Sequence, residues 1–391
     1  MYDKASIALI PSGYKAGSTD NLYSVLPANG NGDFNATRGS TATRVNKDGL
    51  IESVATNVPR LDYPLTNGVV GDCPHLLLEP SRTNLITDYT GAGFTAFNGA
   101  SITANDSVSP DGSINATLMT TTGGANELIQ QASITILSGQ SYTISGYFKI
   151  KSGTLNDTDN GFKGLDGFSG GITGSTFNST LTNEWQRLSF TITSTTTSGR
   201  VQIKCEDAAE ILIWGLQVEL GDYETSIIPT SGFEETRLAD VCNSAGTSAE
   251  FNDSEGVLFA EIAALANDGT DRVIEVSNGS GNRLSIRFPS NDNQIRFFGR
   301  AGGSTQTNQF ISVNDATAFN KIALKYEQDN VVGYINGVKV FTDTTFANLF
   351  VNLSELDFAQ YNLSNPFYGK CKQLIVFNET LSDSELQTLT S

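Results

Sequence analysis

The sequence predicts an all-β fold, with two antiparallel β-sandwich (jelly-roll) domains preceded by an N-terminal extended or hairpin segment. Apolar and polar residues alternate in many short stretches, as where Leu284, Ile286 and Phe288 are separated by polar side chains. Only 17% of the residues are charged, and Gly, Ser, Thr and Asn are abundant, which suits short strands joined by tight turns. The Asn336-Gly337 pair between two apolar runs predicts a hairpin, because both residues tolerate positive φ.

Residues 1–84 form the first predicted unit. The stretch STATRVNKDGLIESV predicts a hairpin around Asn46-Lys47-Asp48-Gly49, where glycine closes a type I turn. Four prolines between positions 59 and 80 then favour an extended chain.

Residues 85–235 form the second unit, a sandwich predicted from alternation along 142–150, 188–192 and 201–205. The sequence GFKGLDGFSGGITG at 161–174 predicts a glycine-rich loop anchored by Phe162, Leu165 and Phe168. Residues 233–250 are expected to be a linker or a shared strand.

Residues 246–391 form the third unit, a sandwich that ends in a helix. Ser382 and Glu385 have the spacing of a capping box, and Leu381 and Leu386 that of a hydrophobic staple.

The chain is strongly acidic, with 42 acidic and 24 basic residues and a net charge of -18. This charge repels a phosphate backbone, so nucleic acid is not an expected partner. The apolar stretch before Pro11 is too short for a secretion signal, and no long apolar run predicts a membrane span. We therefore expect folding in a cytoplasm without export through that route.

The four cysteines, at 73, 205, 242 and 371, are far apart and predict neither a disulfide framework nor a zinc site. They are expected to be small buried apolar residues.

Several blocks resemble known families. The order of strands, the YINGVKV hairpin, FYGKCKQLIVFN and ETLSDSELQTL is similar to the concanavalin A-like, laminin-G-type jelly roll. GQSYTISGYFKIKSG and NEWQRLSFTITS are similar to carbohydrate-binding modules. GDFNATRGSTATRVNKDGLIE and CPHLLLEPSRTNLI resemble the start of tailed-bacteriophage structural proteins, in which such a segment precedes the binding modules. The resemblance implies an N-terminal attachment segment at 1–84.

Glu355 and Asp357 in ELDFAQ resemble the paired acids of glucanases with this fold, and strand geometry places both on one face. Gln360 stands where that motif has another acid, and an amide cannot transfer a proton near neutral pH. The single histidine, His75, lies between prolines and is expected to be a packed or turn residue. No catalytic residue and no cofactor are predicted, and the chain is not expected to be an enzyme.

Asp268 and Asp271 are spaced as calcium ligands can be in lectins of this shape, but turn formation explains them equally well. Calcium binding there stays open, and no metal ligand is predicted.

Aromatic side chains are the usual platforms for sugar rings. Trp185 and Trp214 are expected to pack in the core, whereas Tyr361 and Phe367 in YNLSNPFYG are the glycan-binding candidates. A loop plug over the core explains these two residues equally well.

The sequence thus favours a bacteriophage virion protein of fibre, spike or decoration type, assembled in the host cytoplasm and released by lysis. Its expected partners are other virion proteins through the N-terminal segment and, at the surface, host polysaccharide. A homo-oligomer, most simply a trimer, is expected from such fibres. The alternatives are a glycoside hydrolase of the concanavalin A-like fold and a bacterial surface adhesin.

Overall fold

The computed structural model describes residues 2–13, 21–66, 68–165, 173–177 and 181–391. In this part of the chain, strands dominate, and α1 at Asp383–Thr390 is the one α-helix. The all-β prediction is confirmed.

The N-terminal part contains two 3-10 helices, Tyr2–Lys4 and Pro11–Gly13, and ten short strands. These strands are β1 (Ala5–Leu9), β2 (Asn21–Leu22), β3 (Phe34–Thr37), β4 (Ala42–Val45), β5 (Ile51–Val54), β6 (Leu61–Asp62), β7 (Leu65–Thr66), β8 (Val69–Val70), β9 (His75–Leu78) and β10 (Arg82–Asn84).

The middle part contains β11 (Thr95–Phe97), β12 (Ser101–Val108), β13 (Ile114–Thr120), β14 (Leu128–Gln130), β15 (Ile134–Thr135), β16 (Ser141–Gly153), β17 (Gly161–Leu165), β18 (Thr173–Thr176), β19 (Gln186–Thr193), β20 (Ser198–Lys204) and β21 (Ala209–Leu220). The connection to the last part contains β22 (Glu235–Arg237) and β23 (Val241–Asn243).

The C-terminal part contains β24 (Glu255–Ala264), β25 (Arg272–Ser277), β26 (Arg283–Phe288), β27 (Gln294–Ala301), β28 (Ser304–Ser312), β29 (Asn320–Glu327), β30 (Val331–Ile335), β31 (Val338–Asp343), β32 (Glu355–Asp357) and β33 (Gly369–Phe377), followed by α1.

The middle part is a β-sandwich, which we call the middle module. One sheet has the order β12-β13-β21-β16-β19, and the other has β11-β14-β20-β17-β18 with β15 beside β20. Apolar side chains between positions 86 and 218 fill the space between the sheets, as the alternation predicts. Phe162 lies in this core, and the glycine-rich stretch is a loop only in part, because β17 and β18 pair with each other. Residues 166–172, with Phe168, lie outside the described residues.

The C-terminal part is a second sandwich, the C-terminal module. Its five-stranded sheet has the order β28-β27-β26-β25-β32, and its larger sheet begins β31-β30-β29-β24-β33. Helix α1 covers the outer face of the larger sheet, where Leu386 and Leu389 contact its apolar side chains. Within the described ranges, no helix covers the outer face of the five-stranded sheet.

Strands from the N-terminal part complete the larger sheet of the C-terminal module. Both β1 and β9 pair with β33 in antiparallel register, and β6 pairs with β9. Ile7 and Leu9 from β1 are buried in the same core as Leu374 and Val376 of β33. The segment expected to stand before two separate sandwiches is thus built into the last one, because β33 needs a partner on each side.

The stretch between the modules is also held by the N-terminal part, since β22 pairs with β10 and β23 pairs with β3. A buried ion network reinforces this arrangement. Arg60 and Arg237 contact Glu79, and Arg60 also contacts Asp240, which pairs with Arg38. All five side chains are at most 7% exposed.

Several local predictions are confirmed. β4 and β5 form the predicted hairpin, and Gly49 closes its turn with φ of 78° and an N–H bond to the Asn46 carbonyl oxygen. Asn336 and Gly337 both have positive φ between β30 and β31. Cys205, Cys242 and Cys371 are buried, but the expectation fails for Cys73, which is exposed just before β9. Among the described residues, no helix is long and apolar enough to cross a membrane.

Candidate functional site

The outer face of the five-stranded sheet carries an unusual set of side chains. Along β26 and β27 the apolar residues point into the core, so the residues between them point outward. The outward positions hold arginines and Phe298, and the register places them side by side: Arg287 lies opposite Arg296, and Arg283 opposite Arg300. Together with Phe310 on β28 and Tyr361, these residues form what we call the arginine-aromatic face.

Three guanidinium groups surround one ring. The guanidinium carbons of Arg283, Arg287 and Arg296 lie 5.0, 4.8 and 4.9 Å from the centre of the Phe298 ring. Such stacking is favourable, because the ring face carries partial negative charge. Arg287 is further held by Glu275 and Ser285, at 2.8 Å each. The arginines are therefore fixed in place before any ligand binds.

The aromatic side chains at the margin are accessible. Phe310 is 46% exposed and stacks on Arg296, which also donates to Asn308 Oδ1 at 2.8 Å. Tyr361 is half-buried, and Arg283 lies over its ring at 5.0 Å. The Nε and Nη1 atoms of Arg283 are buried and have no hydrogen-bond partner among the described residues. This face thus offers an exposed ring beside guanidinium groups.

Carboxylates border the arginines at the other edge of the sheet. Glu275 lies opposite Asp357 on β32, and Glu355 is on the same face. Burial, together with the neighbouring Glu355 and Glu275, raises the pKa of Asp357 to about 7, against a hydrogen bond from the Ser244 amide that lowers it. Asp357 is only 2% exposed. A carboxyl group that is covered in this way does not face a bound chain of sugars.

The predicted pair of Glu355 and Asp357 does share a face, but the two groups differ in exposure, since Glu355 is half-buried. Gln360 stabilises the loop that follows β32: its backbone amide donates to Ser364, and its side-chain oxygen accepts from Asn365. The structure therefore gives Gln360 a structural role.

Of the two glycan-binding candidates, Phe367 must be corrected. It is 1% exposed and packs against Phe288 and Phe358 in the core, because the loop turns its ring inward at the start of β33. Tyr361 lies on the arginine-aromatic face and keeps its candidacy. Its amide also donates to Glu275, which fixes the loop over the sheet.

The two aspartates considered for calcium contact arginines. Asp268 pairs with Arg272 at 2.8 Å, and Asp271 lies 3.9 Å from Arg287. No group of three or more potential metal-ligating His, Cys, Asp or Glu side chains occurs in the described ranges.

The remaining sequence candidates lie elsewhere. Trp214 is buried, as predicted, whereas Trp185 is half-buried and donates from Nε1 to the Val108 carbonyl oxygen. His75 packs on Phe319, and burial with the nearby Lys370 and Lys372 lowers its pKa to about 3. It is therefore neutral at ordinary pH, in agreement with a packed residue.

The arginines of this face were not singled out from the sequence. The available signal was a spacing of four between Arg283 and Arg287 and again between Arg296 and Arg300, on adjacent predicted strands. Only the register shows that Phe298 lies between them.

Comparison with known families matches residues 257–387 to the family described as the concanavalin A-like lectin/glucanases superfamily. The C-terminal module is thus a concanavalin A-like, lectin-like sandwich. The match covers about a third of the chain, and comparison with curated proteins gave no match.

Among solved structures, the chain is similar to a Ruminococcus gnavus IT-sialidase CBM40 bound to alpha2,3 sialyllactose, with 16% identity, a TM-score of 0.33, and coverage of 38% of this chain and 94% of that one. It is also similar to domain 4 of AbnA, a GH43 extracellular arabinanase from Geobacillus stearothermophilus in complex with arabinotriose, with 12% identity, a TM-score of 0.31, and coverage of 44% and 84%. Mouse laminin alpha1 domains LG4-5 match with 7% identity, a TM-score of 0.25, and coverage of 68% and 93%. At these values the ligands of those proteins say nothing about the ligand of this chain.

Proposed function

We propose that this chain is a glycan-binding structural protein on the surface of a tailed-bacteriophage particle, and that its arginine-aromatic face contacts polysaccharide of the host surface. The observation that carries the binding part is the exposed Phe310 ring beside guanidinium groups that are already fixed in position. A ring covers the apolar face of a sugar, while charged donors hold its oxygens. The lectin-like fold of residues 257–387 supports the same function.

The face favours an acidic polysaccharide. Four arginines lie on two adjacent strands of a protein whose net charge is -18. Planar guanidinium groups bind carboxylates and sulfates with paired hydrogen bonds. Because much of the remaining surface repels an anion, electrostatic attraction concentrates on this face.

Binding without catalysis is part of the proposal. Asp357 has a pKa in the range of a general acid, yet its carboxyl group is covered and accepts a hydrogen bond from the backbone. Glu355→Gln tests the glycoside hydrolase alternative. Cleavage of a bound polysaccharide that this substitution abolishes would replace our proposal with an enzyme.

Binding is tested with full-length protein and a panel of acidic and neutral capsular or cell-wall polysaccharides. We expect Phe310→Ala and Arg283→Ala each to weaken binding of the acidic members about tenfold, the loss of one stacking or charged contact. Phe97→Ala is the matched control, because Phe97 is 41% exposed on a strand of the middle module. Equal binding by all three variants would refute this face as the site. Binding should also weaken at high salt.

The particle part of the proposal is supported by the blocks at 32–52 and 73–86 that resemble phage structural proteins. It predicts that purified particles contain this chain in a fixed copy number, detectable by quantitative mass spectrometry. Its presence only in the cell envelope of a bacterium would favour an adhesin instead.

A further inference from the structure

A second recess lies where the N-terminal part and both modules meet. It has a volume of about 290 Å³, near the lower end of the range for small-molecule sites. We call it the junction cleft. The β4–β5 hairpin, the middle module and the C-terminal module all line it, through residues that include Arg44, Asp62, Tyr147, Arg187 and Lys370.

Much of the lining is held by contacts inside the protein. Arg187 Nη2 donates to Ser145 Oγ at 3.0 Å and to the Thr225 carbonyl oxygen at 2.8 Å. Asp62 Oδ1 accepts from the Val45 amide at 2.8 Å. The cleft therefore keeps its shape without a ligand, which lowers the entropy that binding must overcome.

Some polar groups in the lining remain available. The Tyr147 hydroxyl has no hydrogen-bond partner among the described residues, and Lys370 forms no salt bridge to any of them. The Nε atom of Arg187 is buried and unpartnered within the same part of the chain. The second Asp62 oxygen, Oδ2, lies 3.4 Å from Nε2 of the neutral His75. The Asp62 carboxylate, the Tyr147 phenol and the Lys370 ammonium thus line a small, partly open recess.

The balance of charges indicates the class of ligand. Arg44 is paired with Glu52, and Glu79 with arginines of the buried network. The remaining charged groups of the lining are two cations, Arg187 and Lys370, and two anions, Asp62 and Glu224. Their charges balance, so the cleft favours neither an anionic nor a cationic ligand. A neutral sugar with adjacent hydroxyls uses both donors and acceptors.

We infer that the junction cleft is a second binding site, for one neutral sugar unit, separate from the arginine-aromatic face. This goes beyond the proposed function, because binding there contacts both modules and the N-terminal part at once. A ligand that binds only the assembled junction also stabilises it.

The experiment is saturation-transfer difference NMR on the full chain with free glucose, galactose, mannose, rhamnose and N-acetylglucosamine, and with glucuronic acid for comparison. We expect transfer to at least one neutral sugar and a weaker signal for the acid. Tyr147→Phe removes only the hydroxyl, and Asp62→Asn keeps the acceptor for Val45. Each should raise the dissociation constant about tenfold, as expected for one lost hydrogen bond to a charged or buried group.

Leu265→Trp fills the cleft without changing its polar groups and should abolish the signal. Thermal melting of each variant verifies that it is folded. Absence of transfer to every neutral sugar, or a signal that folded Leu265→Trp retains, overturns the inference. Phe310→Ala distinguishes the two sites: it should leave the neutral-sugar signal unchanged even where it weakens polysaccharide binding.

Discussion

The guanidinium of Arg60 is completely buried and lies between the carboxylates of Glu79 and Asp240. Burial alone would raise the pKa of Glu79, but Arg237, Arg60 and hydrogen bonds from Ser226 hold it far below its usual value. A buried charge is tolerated only when it is paired in this manner. These side chains therefore join segments that are distant in sequence. Each buried charge depends on its partners for compensation.

We predict that Glu79→Gln lowers the free energy of unfolding by about 3 kcal/mol, since it leaves buried arginines without a compensating charge. Thermal or urea denaturation measures the effect. Glu52→Gln is the matched control, because Glu52 pairs with Arg44 at the surface and should cost less than about 1 kcal/mol. Equal effects of the two substitutions would contradict a special role for the network.

Asp357 predicts a dependence of stability on pH. Its pKa of about 7 in the folded protein exceeds the ordinary aspartate value of 3.8, so between these values the folded state keeps a proton that the unfolded state has lost. Stability contributed by this group is present at low pH and falls as pH rises, by up to about 1.4 kcal/mol per pH unit in this interval.

Asp357→Asn keeps an oxygen acceptor for the Ser244 amide but removes the titration. The stability of the variant relative to the original protein should therefore rise from pH 4 to pH 7, as measured by urea unfolding at several pH values. A constant difference across this interval would show that Asp357 ionises normally. Burial also raises the pKa of Asp62 to about 6, so the Asp357→Asn variant should retain the part of the pH dependence that comes from Asp62.

At the scale of single elements, helix α1 was predicted correctly because its signal is local. Ser382 accepts from the Glu385 amide, and Glu385 accepts from the Ser382 amide at 2.8 Å. The β4–β5 and β30–β31 hairpins were predictable for the same reason, since four adjacent residues determine each turn. The strands themselves follow from alternation, which shows the buried side of each strand but not its neighbour.

Ser382→Ala should lower stability by about 1 kcal/mol, because the first turn of α1 loses its side-chain cap. Ser384→Ala is the control. Ser384 is the second residue of α1 and is exposed, and alanine is well tolerated at such a position. Thermal denaturation compares the two. If both substitutions have the same effect, the cap does not contribute to the stability of the C-terminal module.

The features that the sequence did not predict all depend on distant pairing. Phe367 was interpreted as a loop residue, but its ring is buried because β33 begins two residues later. The arginines at 283, 287 and 296 were ordinary polar positions until the register placed them around Phe298. Pairing of β9 with β33 leaves no local pattern in either strand, so no periodicity could reveal it.

At the scale of the whole molecule, the two sandwiches differ in how their cores are composed. Among the residues that the structure describes, the buried core of the middle module is made of residues from 86 to 218. That of the C-terminal module includes residues from β1, β6, β9 and the connecting segment. The buried core of the middle module thus lies within 85–235, whereas that of the C-terminal module also includes strands that precede residue 84.

We predict that a fragment of residues 85–235 folds alone, whereas 246–391 alone does not. Without β1 and β9, the shorter fragment exposes apolar side chains and one edge of β33. Amide chemical-shift dispersion in NMR spectra of the two fragments measures folding. Adding residues 1–84 by co-expression should restore the C-terminal fragment to the soluble state. A well-dispersed spectrum for 246–391 alone would show that the N-terminal strands are dispensable.

The pairing of β1 with β33 also has a consequence for biosynthesis. Ser6 bonds to Val376, a residue 370 positions later, so the first strand leaves the ribosome long before its partner exists. At bacterial or eukaryotic translation rates this interval is on the order of 20 s or more. During that time the apolar side of β1 lacks the strand that covers it, whereas the middle module, whose described core residues end at 218, is synthesised completely before β33.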